Sequence, residues 1–377
     1  MKILILYHYP PAPGGLATQA DLLYKGLLEI GVDARPAHLQ SNLEKEWYYH
    51  SFKPDAVVGV GFWGDVPDLV LHPQSFGLRA LPWILADGYV ANYRDVLDDL
   101  PLILVPSNWV RETFVRDGIR GDHAVTLPVG CDTDAFIPRR KDDPKVLAIR
   151  KALGVSDGEL MILTVGGDAA SKGGREVMHA LAALGDQVPP WRYVCKVWPQ
   201  DRTIVQNRLD LELAHSLGIQ DRVVFSTQFV SRNLMPYLIA ACDIYAAPSR
   251  LEGFGMPQVE AGACGKPVIG IRAMAMLDTL VHEETAFLAG VAQEICIKET
   301  VLGPDAGFEP NHRVVFDKPR IADYRACTKD IATYLKLLMN DPPLRLRMGA
   351  AGRRRAVEHY DYRLVARRLV EILTQEH

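Results

Sequence analysis

Short apolar runs alternate with amphipathic segments along most of this chain, and that alternation constrains its fold more than any other feature. Lys2–Tyr7 is an apolar run, Pro10–Gly15 interrupts it, and Leu16–Ile30 carries apolar residues at helical spacing. Strands that alternate with helices build parallel sheets with helices on both faces. The sequence therefore predicts an α/β fold of the doubly wound type.

The alternation occurs as two series. The first series predicts strands at Lys2–Tyr7, Val32–Leu39, Ala56–Val60, Trp83–Ala86, Leu102–Pro106 and Ala124–Pro128. The second predicts strands at Leu160–Val165, Tyr193–Val197, Val223–Phe225, Ile244–Ala247 and Pro267–Ile271. Gly130–Pro144, rich in turn residues and charges, is the predicted linker. We expect two domains, with a ligand site beyond the carboxyl ends of their strands and in the cleft between them.

Composition argues against several classes of function. The 377 residues carry a formal net charge of −4, without the basic excess that is typical of a nucleic-acid binder. The six cysteines include no CxxC pair, which argues against zinc and thioredoxin-type sites and favours a reducing compartment. The chain contains no run of about 18 apolar residues, so we expect no membrane span. The short apolar N-terminus fits a strand better than a signal peptide.

The strongest functional signal is the segment Pro248–Glu260, which follows the predicted strand Ile244–Ala247. Gly253 and Gly255 allow the backbone to approach a ligand closely. The first amides of a helix that begins near Met256 favour an anion. Glu252 and Glu260 can accept hydrogen bonds from sugar hydroxyls. The alternative is an ordinary helix start, where the helix dipole favours acidic residues.

This segment resembles the E-x7-E signature of retaining glycosyltransferases of family 4. The resemblance extends to Pro13–Gly15, to Val105–Ser107 with Val110 and Arg111, to Leu127–Pro138, and to Thr164–Gly166 with Lys172 and Gly173. It implies a GT-B fold, in which two Rossmann-like domains face each other across a cleft and the second binds most of a nucleotide sugar. It also implies retaining transfer of a hexose from a nucleotide-diphosphate sugar to an acceptor hydroxyl. In that reaction the hydroxyl attacks from the face that the diphosphate leaves, and the leaving phosphate takes the proton.

The resemblance assigns roles to individual residues. Lys172 would neutralise the diphosphate, Glu252 would contact donor-sugar hydroxyls, and Glu260 would hold the ribose. The other implied donor-binding residues, which include two glycines from the first domain, are Gly14, Gly15, Gly166, Gly253, Phe254, Gly255 and Met256. The resemblance implies no metal or other cofactor, whereas Asp132-Thr133-Asp134 keeps a metal motif open as an alternative.

Two positions depart from the family pattern. Gly167 stands where the family usually has an arginine, and Arg175 or Lys196 could supply the missing charge. Asp87 stands where the family often has a histidine facing the anomeric carbon. Asp87 could orient the acceptor hydroxyl or accept its proton, and a plain Asp-Gly turn is the alternative.

The resemblance also divides the chain. Residues 1–140 would form the acceptor-side domain and residues 141–350 the donor domain, with an irregular excursion at 289–327. Residues 351–377 would form a helix that crosses back to the first domain. The arginines of the C-terminal helices fit a solvated helix face, with a role against an anionic surface as the alternative.

The expected partners are a nucleotide sugar and a hydroxyl acceptor, which is a saccharide, a lipid-linked sugar or a small molecule. Acceptor contacts would come from loops around Trp47–His50, Phe62–Asp65 and Asp87–Tyr93, whose aromatic residues can stack on sugars or simply pack. The expected location is the cytoplasm, with the inner face of the membrane as a second option. Two alternative functions remain open, namely a GT-B epimerase and a nucleotide-sugar-binding protein without turnover.

Overall fold

The chain folds into two compact units in a computed structural model, which describes residues 1–11, 14–86, 88–198 and 201–375. Unit 1 comprises Met1–Gly130, Cys296–Ala322 and Tyr360–His377. Unit 2 comprises Cys131–Ile295 and Asp323–His359. The chain therefore leaves unit 1 after Gly130 and returns to it twice.

Unit 1 is built on a parallel sheet of six strands in the order β2-β1-β3-β4-β5-β6. The strands are β1 (Lys2–Tyr7), β2 (Asp33–His38), β3 (Ala56–Phe62), β4 (Ala80–Leu85), β5 (Ile103–Val105) and β6 (Ala124–Thr126). The helices are α1 (Gly15–Glu29), α2 (Asn42–Ser51), α3 (His72–Ser75), α4 (Arg94–Asp98), α5 (Asn108–Arg116) and α14 (Tyr362–Gln375). β1 and β3 are almost wholly apolar because helices cover both faces of a parallel sheet.

Serine caps begin two of these helices. The Ser41 hydroxyl accepts from the Glu44 amide at 3.3 Å, and the Ser107 hydroxyl accepts from the Val110 amide at 3.2 Å. Each cap satisfies an amide that has no partner within its own helix. The helices α2 and α5 thus begin directly after the serines that cap them.

Unit 2 has a second parallel sheet of six strands, in the order β12-β11-β10-β7-β8-β9. The strands are β7 (Leu160–Val165), β8 (Trp191–Lys196), β9 (Val223–Ser226), β10 (Ile244–Ala246), β11 (Val268–Ile271) and β12 (Ala286–Ala289). The helices are α6 (Pro144–Ala152), α7 (Gly174–Leu184), α8 (Asp201–Ser216), α9 (Met235–Ala241), α10 (Met256–Ala263), α11 (Met276–Thr279), α12 (Thr328–Asn340) and α13 (Pro342–Tyr360). The two sheets confirm the predicted fold class of two Rossmann-like α/β domains. β12 is a strand that the sequence analysis did not predict.

The sequence predicts an irregular excursion at residues 289–327. This prediction is wrong, because most of the segment has regular secondary structure. The segment forms two long strands, β13 (Val291–Leu302) and β14 (His312–Ala326), which pair with each other in a two-stranded sheet. We call residues 291–326 the arm. Most of its side chains are exposed, so it lacks the apolar runs that mark buried strands. Pro319 is tolerated in β14 because each strand of a two-stranded sheet has an open edge.

The boundaries between the two units also differ from the expected domain boundaries, both in the arm and near the C-terminus. Residues 296–322 of the arm belong to unit 1 and not to the donor unit. Unit 2 begins at Cys131, and the return to unit 1 near the C-terminus begins at Tyr360. The physical reason for the first difference is that apolar residues of the arm join the core of unit 1, as Ala306 does.

Several C-terminal arginines bind backbone carbonyl groups of unit 2. Arg353 donates to the carbonyls of Phe136 and Thr133 at 2.7 and 2.9 Å. Arg355 donates to the carbonyls of Asp278 and Thr279 at 2.7 and 2.8 Å. These two side chains attach α13 to the rest of unit 2. They therefore do not belong to a solvated helix face. Arg354, Arg367 and Arg368 are exposed.

Candidate active site

The candidate site lies at the carboxyl ends of β7 and β10, the two neighbouring strands at which the strand order of unit 2 reverses. Loops that follow such strands run to opposite sides of the sheet and leave a crevice, which is where open α/β sheets bind ligands. The loop after β7 is residues 166–173, and we call residues 247–255 after β10 the donor loop. The predicted motif residues therefore lie where the topology makes space for a ligand.

Lys172 and Glu252 form an ion pair across this crevice. The Lys172 Nζ is 2.6 Å from the Glu252 Oε2, and the two side chains are 22% and 15% exposed. Gly166 lies beneath the lysine stem, where a Cβ would collide with the Lys172 Cγ. The structure brings these three predicted residues together from two separate loops.

Backbone contacts hold the two loops against each other. The Arg250 amide donates to the Ser171 carbonyl at 2.9 Å. Gly173 caps α7 with a φ of 78°, and a Cβ at this position would collide with the Pro248 carbonyl. Only glycine fits there, because the position combines left-handed backbone with a close approach of two chains.

The start of α10 lies where the sequence analysis expects an anion-binding element. Gly255 caps the helix with a φ of 89°, and Met256 is its first residue. Helix N-termini present amides without intrahelical partners, together with the positive end of the helix dipole. Gly253 and Phe254 are buried immediately before this turn. The predicted backbone group at 253–256 is therefore contiguous and lies beside Glu252.

Glu260 occupies the second turn of α10 and is buried. Its Oε1 accepts from the Arg232 Nη1 at 2.7 Å. Burial raises the pKa of the Glu260 carboxyl, and the charge of Arg232 acts against that shift. The Arg232 guanidinium also lies 4.9 Å from the ring centre of Phe136.

Arg232 is a candidate site residue that the sequence analysis missed. It lies between β9 and α9, in a segment that carries no recognisable motif. Its only signal is its position on a loop that follows a predicted strand, at the same sheet edge as the motif. Pairing with Glu260 makes it a candidate to orient the carboxylate.

The two candidates to replace the missing arginine differ in their surroundings. The Arg175 Nε is 2.6 Å from the Oδ1 of Asp210, which is buried. Lys196 is also buried, but its Nζ donates to the neutral carbonyl of Val197 at 2.8 Å. Burial lowers the pKa of Lys196. Arg175 is thus paired with a carboxylate, whereas Lys196 is bonded to a neutral carbonyl.

The remaining predicted residues fall elsewhere. Gly14 and Gly15 lie at the start of α1 in unit 1. Asp87 lies outside the described residues, between Ala86 and Gly88. Asp132 belongs to a turn, in which its Oδ1 accepts from the Ala135 amide at 3.0 Å. That turn accounts for one carboxylate of the Asp132-Thr133-Asp134 sequence without a metal.

Residues 146–301 match the family model described as glycosyl transferases group 1. The model thus covers the candidate site and most of unit 2.

Curated relatives carry transferase names. A D-inositol 3-phosphate glycosyltransferase of Xylanimonas cellulosilytica is 30% identical over 59% of this chain and 48% of its own length. An MMP α-(1→4)-mannosyltransferase of Mycolicibacterium hassiacum is 26% identical over 76% of this chain and 56% of its own. The chain thus spans about half the length of the curated relatives that it matches.

Solved structures match the whole chain. Anabaena Alr3699/HepE, in complex with UDP and glucose, is 17% identical with a TM-score of 0.74 over 100% of both chains. Sucrose-phosphate synthase of Thermosynechococcus elongatus is 16% identical with a TM-score of 0.75 over 99% of this chain and 98% of its own. These likenesses identify the fold as GT-B. Within the described part of the chain, no helix has the length and apolar character needed to cross a bilayer.

Proposed function

We propose that this protein is a retaining glycosyltransferase that moves a hexose from a nucleotide-diphosphate sugar to an acceptor hydroxyl. One observation carries the proposal: Lys172 and Glu252 meet at the reversal point of the strand order, directly beside the start of α10. The pair and the helix start together offer positive charge, backbone amides and a carboxylate in one place. These are the groups that a diphosphate and a sugar need.

Each residue has a role in the proposed step. The acceptor oxygen bonds to the anomeric carbon while the bond from that carbon to the diphosphate breaks, and the acceptor proton passes to the leaving phosphate oxygen. Lys172 and the first amides of α10 stabilise the charge that grows on the diphosphate. Glu252 accepts from sugar hydroxyls, Glu260 accepts from the ribose, and Asp87 orients the acceptor. We propose that the step uses no metal or other cofactor.

The names of the relatives support a nucleotide-sugar donor. One relative is named for transfer to an inositol phosphate and another for transfer of mannose, and Alr3699/HepE was solved with UDP and UDP-glucose. We therefore propose UDP-glucose and GDP-mannose as the first donors to test. The proposed acceptors are saccharides, lipid-linked sugars and small hydroxyl compounds.

The test is to incubate the protein with each donor and an acceptor panel, identify products by mass spectrometry, and assign the new linkage by proton NMR. We expect a glycoside with the anomeric configuration of the donor. An inverted linkage would contradict the retaining mechanism. A stereoisomer of the donor, formed without acceptor, would favour the epimerase. Tight donor binding without transfer or hydrolysis would favour a binding protein.

A further inference from the structure

The arm connects two loops that the proposed reaction uses. Its distal part, residues 296–322, belongs to unit 1, whereas its root, residues 291–295 and 323–326, belongs to unit 2. Each end makes specific polar contacts with a loop at the carboxyl end of a strand. The two ends are described in turn, each within its own unit.

The distal part holds the segment that follows β4, residues 88–93, through a buried carboxylate. The Arg320 Nε on β14 is 2.8 Å from the Oδ1 of Asp117, whose side chain is 1% exposed. The other oxygen of Asp117 accepts from the Val90 amide at 2.7 Å. Arg116 also reaches this segment and donates to the Gly88 carbonyl at 2.6 Å. Arg320 thus shares with Arg116, which donates to Asp117 at 3.0 and 3.1 Å, the carboxylate that fixes the backbone of segment 88–93.

The connection between the two arm strands makes further contacts with the same segment. The Asn92 Nδ2 donates to the carbonyls of Ala306 and Gly307 at 3.1 Å each. The rings of Tyr89 and Phe316 have centres 5.0 Å apart. The arm therefore contacts segment 88–93 directly at the Asn92 side chain and the Tyr89 ring, and indirectly at its backbone through Asp117.

This segment is placed where a substrate loop belongs. It follows β4, a central strand of the parallel sheet of unit 1, and it directly follows Asp87 in the sequence. Ligands of such sheets bind beyond the carboxyl ends of the strands. A shift of segment 88–93 would consequently move residues at the expected acceptor position.

The root of the arm contacts the donor loop. The Tyr324 amide donates to the Arg250 carbonyl at 2.9 Å, two residues before Glu252. The Arg250 guanidinium donates to Glu176 at 2.9 Å, and the Arg325 Nη1 lies 3.6 Å from the same carboxylate. Glu176 lies in the first turn of α7, directly after the Lys172 loop.

We propose that the arm is a positioning element for both substrate loops: its root sets the donor loop and its distal part sets segment 88–93. The proposal rests on the proposed function, because it assigns the donor to the first loop and the acceptor to the second. Arg325 and Arg320 are the positioning residues at the two ends. Neither is required to touch a substrate.

Three arginines of β14 provide a matched test. Arg325→Met changes the root and Arg320→Met changes the distal part. Arg313→Met is the control, because Arg313 is 66% exposed and pairs with Glu299 within the arm. We expect Arg325→Met to raise the KM for the donor about tenfold and Arg320→Met to raise the KM for the acceptor about tenfold. Arg313→Met should change neither, and Arg320→Lys should restore much of the acceptor KM.

Amide hydrogen exchange gives a readout that does not depend on turnover. Arg320→Met should increase exchange in residues 88–93, and Arg325→Met should increase exchange in residues 248–255 and weaken binding of UDP or GDP. If the three variants behave alike, or if each end changes both loops equally, the positioning role is wrong. If no donor and acceptor give a product, the proposed function fails, and the exchange data still decide whether the arm holds these loops.

Discussion

The carboxyl ends of the two sheets differ in what lines them and in where those residues come from. In unit 2, ion pairs between its own loops and helices occupy this edge, as in Lys172 with Glu252 and Arg232 with Glu260. In unit 1, the segment after β4 carries Tyr89 and is held through the Arg320–Asp117 ion pair, and both Arg320 and Phe316, which contacts Tyr89, come from the arm, more than two hundred residues later in the chain.

This difference follows from the two proposed ligands. A nucleotide diphosphate sugar always presents phosphate charge and a set of hydroxyls, so the donor side needs fixed cations, amides and carboxylates. Acceptors vary in chemistry, and aromatic rings give broad contact area with little polar demand. On the proposed function, the donor side would be a compact motif, whereas the acceptor side would be assembled from distant parts of the chain.

The largest expected effect tests the Lys172–Glu252 pair at the carboxyl edge of unit 2. We expect Lys172→Ala to lower kcat on the order of 100- to 1,000-fold, because the lysine acts on charge that develops in the transition state. The KM for the donor should change less. Steady-state kinetics with the active donor and acceptor measure both constants.

Lys151→Ala is the matched control, since Lys151 is an exposed lysine at the end of α6 in the same unit. Its kinetics should equal those of the wild type. An unchanged kcat in Lys172→Ala would contradict the proposed role of the lysine.

The next effect concerns nucleotide affinity alone. We expect Glu260→Gln to weaken binding of UDP or GDP about tenfold, because the ionised carboxylate is the stronger acceptor for ribose hydroxyls. Isothermal titration calorimetry measures this change. Glu284→Gln, at an exposed position of unit 2, is the control and should bind as the wild type does.

The pH dependence makes this test specific. Burial raises the pKa of Glu260, so the carboxyl takes up its proton at a less acidic pH than an ordinary glutamate does. Because the ionised form is the proposed ribose acceptor, affinity should be full above that pKa and decline as the pH falls through it. In Glu260→Gln the decline should be absent. A wild-type decline that Glu260→Gln reproduces unchanged would contradict the ribose contact.

A feature could be predicted from the sequence when the residues that form it lie close together in the chain, and could not when they lie far apart. The strands β1 and β7 are mainly apolar runs, and Glu252 and Glu260 lie within one strand–loop–helix unit, so local pattern was sufficient to predict these strands and to place the two glutamates after β10. Arg320 pairs with Asp117 across about two hundred residues, and no local pattern carries that pairing. The arm was missed for the related reason that an exposed two-stranded sheet lacks buried apolar runs.

The smallest expected effect is on stability and concerns how the C-terminal helices attach to each unit. A Cβ at Gly349 of α13 would collide with the Gly265 carbonyl in unit 2, and a Cβ at Gly26 of α1 would lie 2.7 Å from the Tyr362 carbonyl in unit 1. Overpacking against backbone costs about 1–3 kcal/mol, and helix propensity returns about 1 kcal/mol on replacing glycine by alanine. We therefore expect Gly349→Ala and Gly26→Ala each to lower the stability of the unit that contains it.

Gly352→Ala, one turn further along α13, is the control, because its Cβ would lie 3.1 Å from the Gly262 Cα and needs only a small adjustment. Hydrogen exchange distinguishes the units: Gly349→Ala should increase exchange in the core strands of unit 2, and Gly26→Ala in those of unit 1. Increased exchange in both sheets from either substitution would show that the units unfold together. In that event, local stability would not distinguish the two units. The comparison between the carboxyl edges of their sheets would then rest on substrate binding alone.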